Sequence, residues 1–482
     1  MKTLITLMCL LFPALSLAES SAEGKINQDL IDRIEARMGP TTEYDVIRNA
    51  VAANNINNLA LNREKLLGCD NLFNIKLETT GITNQKSSGR CWMFAGVNVL
   101  SPLVKEKLNL SDFEFSHSYL AFFDRLEKAN IFLEQIIECR DLPLTDRKME
   151  DFISSPYGDG GWWHYLTGLV EKYGLVPVSA MPETQQSSNT GIINTLTDRK
   201  LRAFAAELRT MHNQGNKLKQ LRERKDEMLA DIYKFLVFNY GQPPKEFVFR
   251  YETEDTVKTD SAETSNTKPK TKKVIKAVKY TPLSFYREIV GDSLPEFVAL
   301  CDNPTKPYDK LYRGEWSRSI YENEDFTMLN LPVEKLKQYV LASLVDSQAV
   351  WFACDVGKDH YRDSALFTTD IYAYDQLYDM DFKLTKAERI DYGDGWSSHA
   401  MTIVGADTTD TGEPVKWLVK NSWGTELGKA GYWTMYTDWF DAYVYVVIIN
   451  KKYLSKEDLK KLEQKPTVLP MWDVFSRALR NL

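Results

Sequence analysis

What the sequence lacks narrows its chemistry first. Among 482 residues there are five histidines and six cysteines, with no CxxC pair, HExxH helix or clustered His/Cys spacing of the kind a metal site uses. No metal and no cofactor is therefore expected. There is no GxSxG elbow and no P-loop, so neither a serine-hydrolase turn nor a nucleotide cradle is expected. A basic surface is missing too. The formal net charge is −7, which argues against a nucleic-acid partner, although residues 268–279 form a local basic patch. Beyond the first stretch of the chain, no segment is apolar enough to span a bilayer.

What is present is an ordinary globular composition, 43% apolar and 26% charged, with length for a large core and roughly two to three domains. Residues 1–18 read as a secretory leader: Lys2, a nearly all-apolar run, then Ser16-Leu17-Ala18 as a small-residue cleavage site. The mature chain is thus expected to start near Glu19 and to be exported, periplasmic or secreted. Removing the leader leaves Cys69, Cys91, Cys139, Cys301 and Cys354, an odd count that suggests one reactive or unpaired thiol. Cys91 is the obvious one, and Cys354, within the apolar run Val350-Trp351-Phe352-Ala353-Cys354, is also expected to be free. Spacing does not tell whether the others pair.

Chemistry gathers around Thr83-Asn84-Gln85-Lys86-Ser87-Ser88-Gly89-Arg90-Cys91-Trp92. The Ser/Gly cluster breaks structure, and Trp92, Met93, Ala95, Val99, Leu100, Leu103 and Val104 then share one helical face. Cys91 is therefore expected to open a helix, where unpaired N–H groups and the macrodipole favour an anion and ease ionisation of the thiol. By itself, a cysteine beside Trp92 and Phe94 is more often a buried core thiol. Other residues shift that balance. Gln85 carries an amide donor that, with the Cys91 N–H, could hold an oxyanion. Far downstream, His399 precedes the β-branched run Thr402-Ile403-Val404, and Asn421 follows Trp417-Leu418-Val419-Lys420 just before Ser422-Trp423-Gly424. His399 would take or share the thiol proton, Asn421 would orient the imidazole, and Trp423 would shield that bond from water. Each has an ordinary structural alternative, a core histidine or a turn asparagine. Their joint order is that of a papain-like thiol protease.

With these motifs the chain resembles the bleomycin hydrolase and aminopeptidase C family, the self-assembling branch of the papain-like cysteine peptidases. Similar stretches recur beyond the catalytic ones: Asp159-Gly160-Gly161-Trp162, Glu171-Lys172-Tyr173-Gly174-Leu175-Val176-Pro177, Thr281-Pro282-Leu283-Ser284-Phe285-Tyr286-Arg287-Glu288 and Val468-Leu469-Pro470-Met471-Trp472-Asp473. The resemblance implies an α+β, papain-like two-lobed fold, with a helical lobe around Cys91 and a β-barrel-like lobe carrying His399 and Asn421. It implies a cysteine aminopeptidase acting on peptides through a thioester, with Asp159, Gly160 and Gly161 lining the substrate cleft. It also implies a homohexamer, and a C-terminal arm whose terminal carboxylate, on Leu482, faces the substrate's α-ammonium group. An endopeptidase and a catalytically silent oligomeric binding protein remain alternatives. A transglutaminase-like acyltransferase normally uses an acidic third residue, which Asn421 speaks against.

The expected organisation is a helical arm over 19–67, a catalytic domain over 68–450 and a C-terminal arm over 451–482. Within the catalytic domain, a charge-laced helical insertion is expected over about 197–250 and a flexible loop over about 251–280. By resemblance, the insertion packs against neighbouring subunits. The tail runs roughly two to three residues past the expected family end, on the order of 10 Å if extended. His117 is read as structural, and His360 as a surface or structural residue, with a cleft role as the lesser alternative.

Overall fold

Apolar runs buried on both faces make the centre of this fold. In the computed structural model, which describes residues 24–38, 44–256, 271–291, 293–395, 397–474 and 476, all five residues of the strand Val350–Cys354 are buried. So are the first eight of His399–Thr408 and the first six of Val444–Asn450. Strands enclosed on both sides read as continuous apolar runs rather than as alternation. The expected leader at 1–18 and the terminal Leu482 lie outside the described residues.

These three strands sit in the middle of one twelve-stranded sheet. From Val350–Cys354 one direction leads through Val444–Asn450, Phe297–Cys301, Thr327–Asn330 and Lys310–Gly314 to Thr467–Leu469 at the edge. The other leads through His399–Thr408, Pro414–Lys420, Tyr432–Tyr436 and Leu366–Phe367 to His360–Tyr361, while Ile75–Lys76 adds to His399–Thr408. The C-terminal strand lies parallel to Lys310–Gly314, with Leu469 opposite Gly314.

The helix Cys91–Leu108 lies against the His399 strand and is buried on almost every side, including Trp92, Met93, Phe94, Leu100 and Val104. A helix apolar all round belongs in a core. Two polar bonds fix it there: Thr402 Oγ1 donates to the Ala95 carbonyl (3.0 Å) and Trp351 Nε1 to the Trp92 carbonyl (3.0 Å). His117–Glu138 packs beside it. The expected insertion forms two long helices, Gly191–Asn213 and Leu218–Tyr240. Leu221, Met228, Ile232 and Leu236 of the second are buried within the chain, and Arg222 and Lys225 reach Glu134 at 2.9 and 2.7 Å.

The segment expected as a flexible loop over about 251–280 is corrected. Phe247–Thr256 and Thr271–Tyr280 pair antiparallel over their full lengths, with 257–270 outside the described residues. The sequence hides this hairpin because its charges pair on the outer face, Lys273 with Glu252 and Lys279 with Glu246, both at 2.6 Å. Its inner face carries Phe249, which packs edge-on against Phe113 and Phe285, and Thr253, which bonds the Leu108 carbonyl at 2.7 Å.

The described residues 24–38 and 44–62, with 372–382, form a compact unit distinct from the rest. Its helices Gln28–Arg37, Asp45–Ala53 and Ile56–Ala60 are joined by Tyr374–Tyr378 from far along the chain. The Ala373 N–H donates to the Ala60 carbonyl at 2.7 Å, and the Tyr374 hydroxyl to Asn57 at 2.7 Å. All five described cysteines are unpaired. No helix of the described residues is long and apolar enough to cross a membrane, and no group of three or more His, Cys, Asp or Glu among them could hold a metal ion.

His117 is 1% exposed, and its ring stacks on Phe94 at 3.5 Å between centroids. Burial lowers its pKa from 6.5 to about 3. The unfolded chain therefore takes up a proton below 6.5 that the folded ring refuses, and stability is lost as pH falls through that window. His117→Phe is expected to gain about 1.4 kcal/mol on the wild type for each pH unit below that point, read from urea unfolding midpoints. A difference independent of pH would contradict this.

Candidate active site

Register alone brings His399 and Asn421 together. His399 opens its strand, Asn421 follows the neighbouring antiparallel strand, and the pairing of Thr402 with Lys420 sets those two ends side by side. His399 Nε2 lies 2.9 Å from Asn421 Oδ1. The same oxygen accepts from the Ser422 backbone N–H at 2.7 Å, which identifies it as the oxygen of the amide. Nε2 must then carry the hydrogen. The neutral ring is left with an unprotonated Nδ1, the nitrogen that can receive a thiol proton. Trp423 stacks on the imidazole with centroids 4.8 Å apart and is itself braced edge-on by Trp433.

Cys91 is the first residue of its helix and only 3% exposed. Burial works against the easily ionised thiol that the helix start favours. Burial pushes the Cys91 thiol up to about 11, against the pull of the Ala400 and Trp92 N–H groups that face the sulfur. Burial likewise pulls His399 down to about 4, although its bond to Asn421 works the other way. The helix end helps the thiolate, but desolvation outweighs it. A lone thiolate or a lone imidazolium is thus disfavoured. Moving the proton from sulfur to Nδ1 creates both together with no net charge, so the cleft favours transfer coupled to attack. The Ala400 contact places the sulfur beside the residue that follows His399.

Gln85 is held by a network that motif reading missed. Its Nε2 donates to the Ser88 carbonyl (2.6 Å), its Oε1 accepts from Ser422 Oγ (2.7 Å), and its N–H donates to the Ser422 carbonyl (2.8 Å). One hydrogen of the amide remains for an oxyanion. Ser88 Oγ donates to the Gln85 carbonyl at 2.6 Å and accepts from Arg90 Nε at 3.0 Å. Arg90, 1% exposed, forms a two-pronged pair with Glu183 at 3.0 and 2.9 Å. That geometry is the strong form of an arginine–carboxylate contact. Glu183 could not be found from sequence because it lies about ninety residues away in no recognisable motif. Lys420, buried one residue before Asn421, reaches back to the Thr80 carbonyl at 2.9 Å.

The Asp159-Gly160-Gly161 segment sits over the start of the Cys91 helix. The Asp159 carboxylate is turned to the scaffold: it accepts from the Gly89 N–H (2.8 Å) and Asn194 (2.9 Å) and faces Arg125 at 3.3 Å. Burial raises its pKa, but Arg125 and these bonds outweigh that and bring it to about 2. The Asp159 carbonyl takes Trp92 Nε1 at 2.8 Å, and Lys128 caps the Gly158 and Gly160 carbonyls. A Cβ on Gly161 would lie 2.6 Å from the Trp92 ring, so only glycine lets the loop approach so closely. A cavity of about 620 Å³ adjoins this loop, lined by Gly89, Asp159, Gly160, Tyr165 and Trp316 among others.

A nucleophile, a base oriented by an amide, and a second amide beside the sulfur together suit acyl transfer. The comparisons agree. The model of the "Peptidase C1-like family" matches residues 25–476. Aminopeptidase C of Lactobacillus delbrueckii subsp. lactis is 35% identical over 455 residues, 93% of this chain and 97% of that protein. Aminopeptidase G of the same organism is 36% identical over 439 residues, 91% and 96% of the two chains. A crystal structure of PepW from Lactobacillus rhamnosis HN001 superposes with a TM-score of 0.87 at 36% identity, covering 94% of this chain and 99% of that one.

Alkylation by iodoacetamide separates the two parts of this site, because it needs an ionised sulfur but no oxyanion hole. His399→Ala should lose most Cys91 alkylation at neutral pH and regain it as the pH rises. Equal neutral-pH rates in variant and wild type would contradict the coupled transfer. Glu183→Gln should lower kcat about tenfold through a displaced Gln85 while changing alkylation much less. Parallel loss of both would mean a general structural collapse instead.

Proposed function

The chain belongs to the peptidase C1-like family and is a cysteine aminopeptidase, and on that premise we propose how its cleft performs the reaction. The observation that carries the mechanism is the Asn421 amide oxygen, which keeps the proton on Nε2 of His399 and leaves Nδ1 open. Cys91 Sγ attacks the carbonyl carbon of the first peptide bond as its proton passes to Nδ1. The carbonyl oxygen takes the negative charge, held by the remaining Gln85 N–H and the Cys91 N–H. His399 then gives its proton to the departing amine, which leaves as the shortened peptide. Water, deprotonated by the same nitrogen, attacks the thioester, releasing the free amino acid and restoring the thiol.

The exopeptidase character is assigned to the arm over 451–482. Its support is the anchorage of the arm through residue 473: the Leu469 carbonyl accepts from the Glu315 N–H at 2.9 Å, Met471 is buried, and Asp473 pairs with Lys306 at 2.8 Å. A terminal carboxylate delivered from there would pair with the substrate's α-ammonium group and so select the bond that reaches Cys91. A substrate with a blocked amino group would leave that carboxylate buried and unpaired. Gly160 and Gly161 would line the acyl side. The leader at 1–18 and a homohexamer complete the proposal. Intact mass of exported protein starting at Glu19, and light scattering at six chains, would support them, while a retained Met1 or a monomer would count against them.

Free-amino aminoacyl amides should be hydrolysed under reducing conditions and their N-acetylated counterparts should not, with all turnover lost in Cys91→Ala. Cleavage of both sets would keep the nucleophile and refute the carboxylate anchor in favour of an endopeptidase.

A further inference from the structure

The Gln85 and Trp423 segments enclose a recess that the steps above do not use. A cavity of about 300 Å³ is lined by Asn84, Lys86, His360, Arg362, Trp423 and Leu427. Its Trp423 wall is the same indole that stacks on His399. The departing amine takes its proton from His399, so the substrate beyond the cleaved bond must run past that ring and its tryptophan cover. The recess therefore lies on the leaving-group side of the cleft.

Its chemistry is cationic. Lys86 directly follows the oxyanion-hole Gln85, and its backbone is set in a left-handed turn (φ 54°) by donation of its N–H to Asn84 Oδ1 at 2.8 Å. Asn84 in turn is bridged to Trp423, so the lysine is carried on the wall of the recess. Arg362 opens the short turn Arg362–Ser364 on the opposite segment. Among the described residues, neither cationic side chain pairs with a carboxylate. The acid beside Arg362, Asp363, takes the Tyr361 hydroxyl at 3.3 Å. Glu426, next to Leu427, is exposed and does not line the recess. Burial lowers the His360 pKa, so Lys86 and Arg362 are the cationic side chains of the recess. Both line the same concave site, whose Trp423 wall covers His399.

The geometry points to a leaving-group subsite selective for a carboxylate. That group is either the side chain of an aspartate or glutamate after the cleaved bond, or the α-carboxylate of a dipeptide. This rests on the aminopeptidase reading, and it adds a preference that the nucleophile, base and arm do not supply. Two exposed ion pairs of ordinary strength give a preference of about fivefold in kcat/KM. Screening should weaken it as salt rises from about 0.05 to about 0.5 M.

The test compares matched substrates with one N-terminal leucine. Leucyl-aspartyl amide against leucyl-asparaginyl amide reads the side-chain carboxylate, and leucyl-glycine against leucyl-glycyl amide reads the α-carboxylate. The wild type should prefer the charged member in at least one pair. Lys86→Gln with Arg362→Gln should bring that ratio close to one, and Lys86→Glu should carry it below one. The arm that shows the preference identifies the source of the carboxylate. Ratios near one in the wild type, or a ratio that survives the double substitution, would overturn the subsite while leaving the peptidase intact. Absence of any Cys91-dependent turnover of the four substrates would overturn the aminopeptidase reading and the subsite with it.

Discussion

The backbone pairing of residues 83–85 with 422–424 is the constraint on which the rest depends. The Gln85 N–H donates to the Ser422 carbonyl at 2.8 Å, the Gly424 N–H to the Thr83 carbonyl at 3.1 Å, and Asn84 bridges Trp423 between them. One of these segments leads into the Cys91 helix and carries Gln85, the proposed oxyanion donor. The other directly follows Asn421, whose amide oxygen lies against His399 at the end of the Pro414–Lys420 strand. Serine hydroxyls complete the join, Ser422 on Gln85 and Ser88 between Gln85 and Arg90. Three parts of the reaction are thus positioned by one short stretch of sheet-like contact, and bonds this buried hold geometry more firmly than exposed ones.

Desolvation sets the chemical character of the site. Cys91 and His399 are both almost fully buried, and in each the charged form is penalised. A pair that exchanges a proton internally avoids that penalty, because charge appears on both partners at once and each stabilises the other. The orphan Nδ2 of Asn421 is consistent with an asparagine whose oxygen is wholly committed, to His399 and to the Ser422 N–H. An acid in its place would bring a full charge into the same buried environment.

The site was more legible in the sequence than the scaffold around it. Cys91, His399, Asn421, Gln85 and Trp423 could be named because each chemistry restricts the residue type and its immediate neighbours. The central strands were legible too, since Val350–Cys354 and Val444–Asn450 are apolar without interruption. The hairpin over 247–280 was not, because its cross-strand Lys–Glu pairs make a β surface look like a solvated charged loop. Phe297–Cys301 is short and pairs with the distant Val444–Asn450 and, in parallel, with Thr327–Asn330, so nothing local marks it. Glu183 was hidden for a different reason: a carboxylate that acts through Arg90 and Ser88 leaves no spacing signature near the residues it supports. The resemblance implied a cleft-lining Asp159, whereas the direction of its carboxylate, toward Gly89 and Asn194, depended on packing.

The central claim is that Cys91 carries the acyl group while His399 moves the proton. The most direct measurement is acid-quenched mass spectrometry of the enzyme turning over an aminoacyl ester. The account predicts one acyl adduct, on the peptide containing Cys91, that accumulates within the first turnover and disappears when substrate is exhausted. Continued turnover with no adduct on Cys91, or the same adduct on another residue in Cys91→Ala, would contradict it.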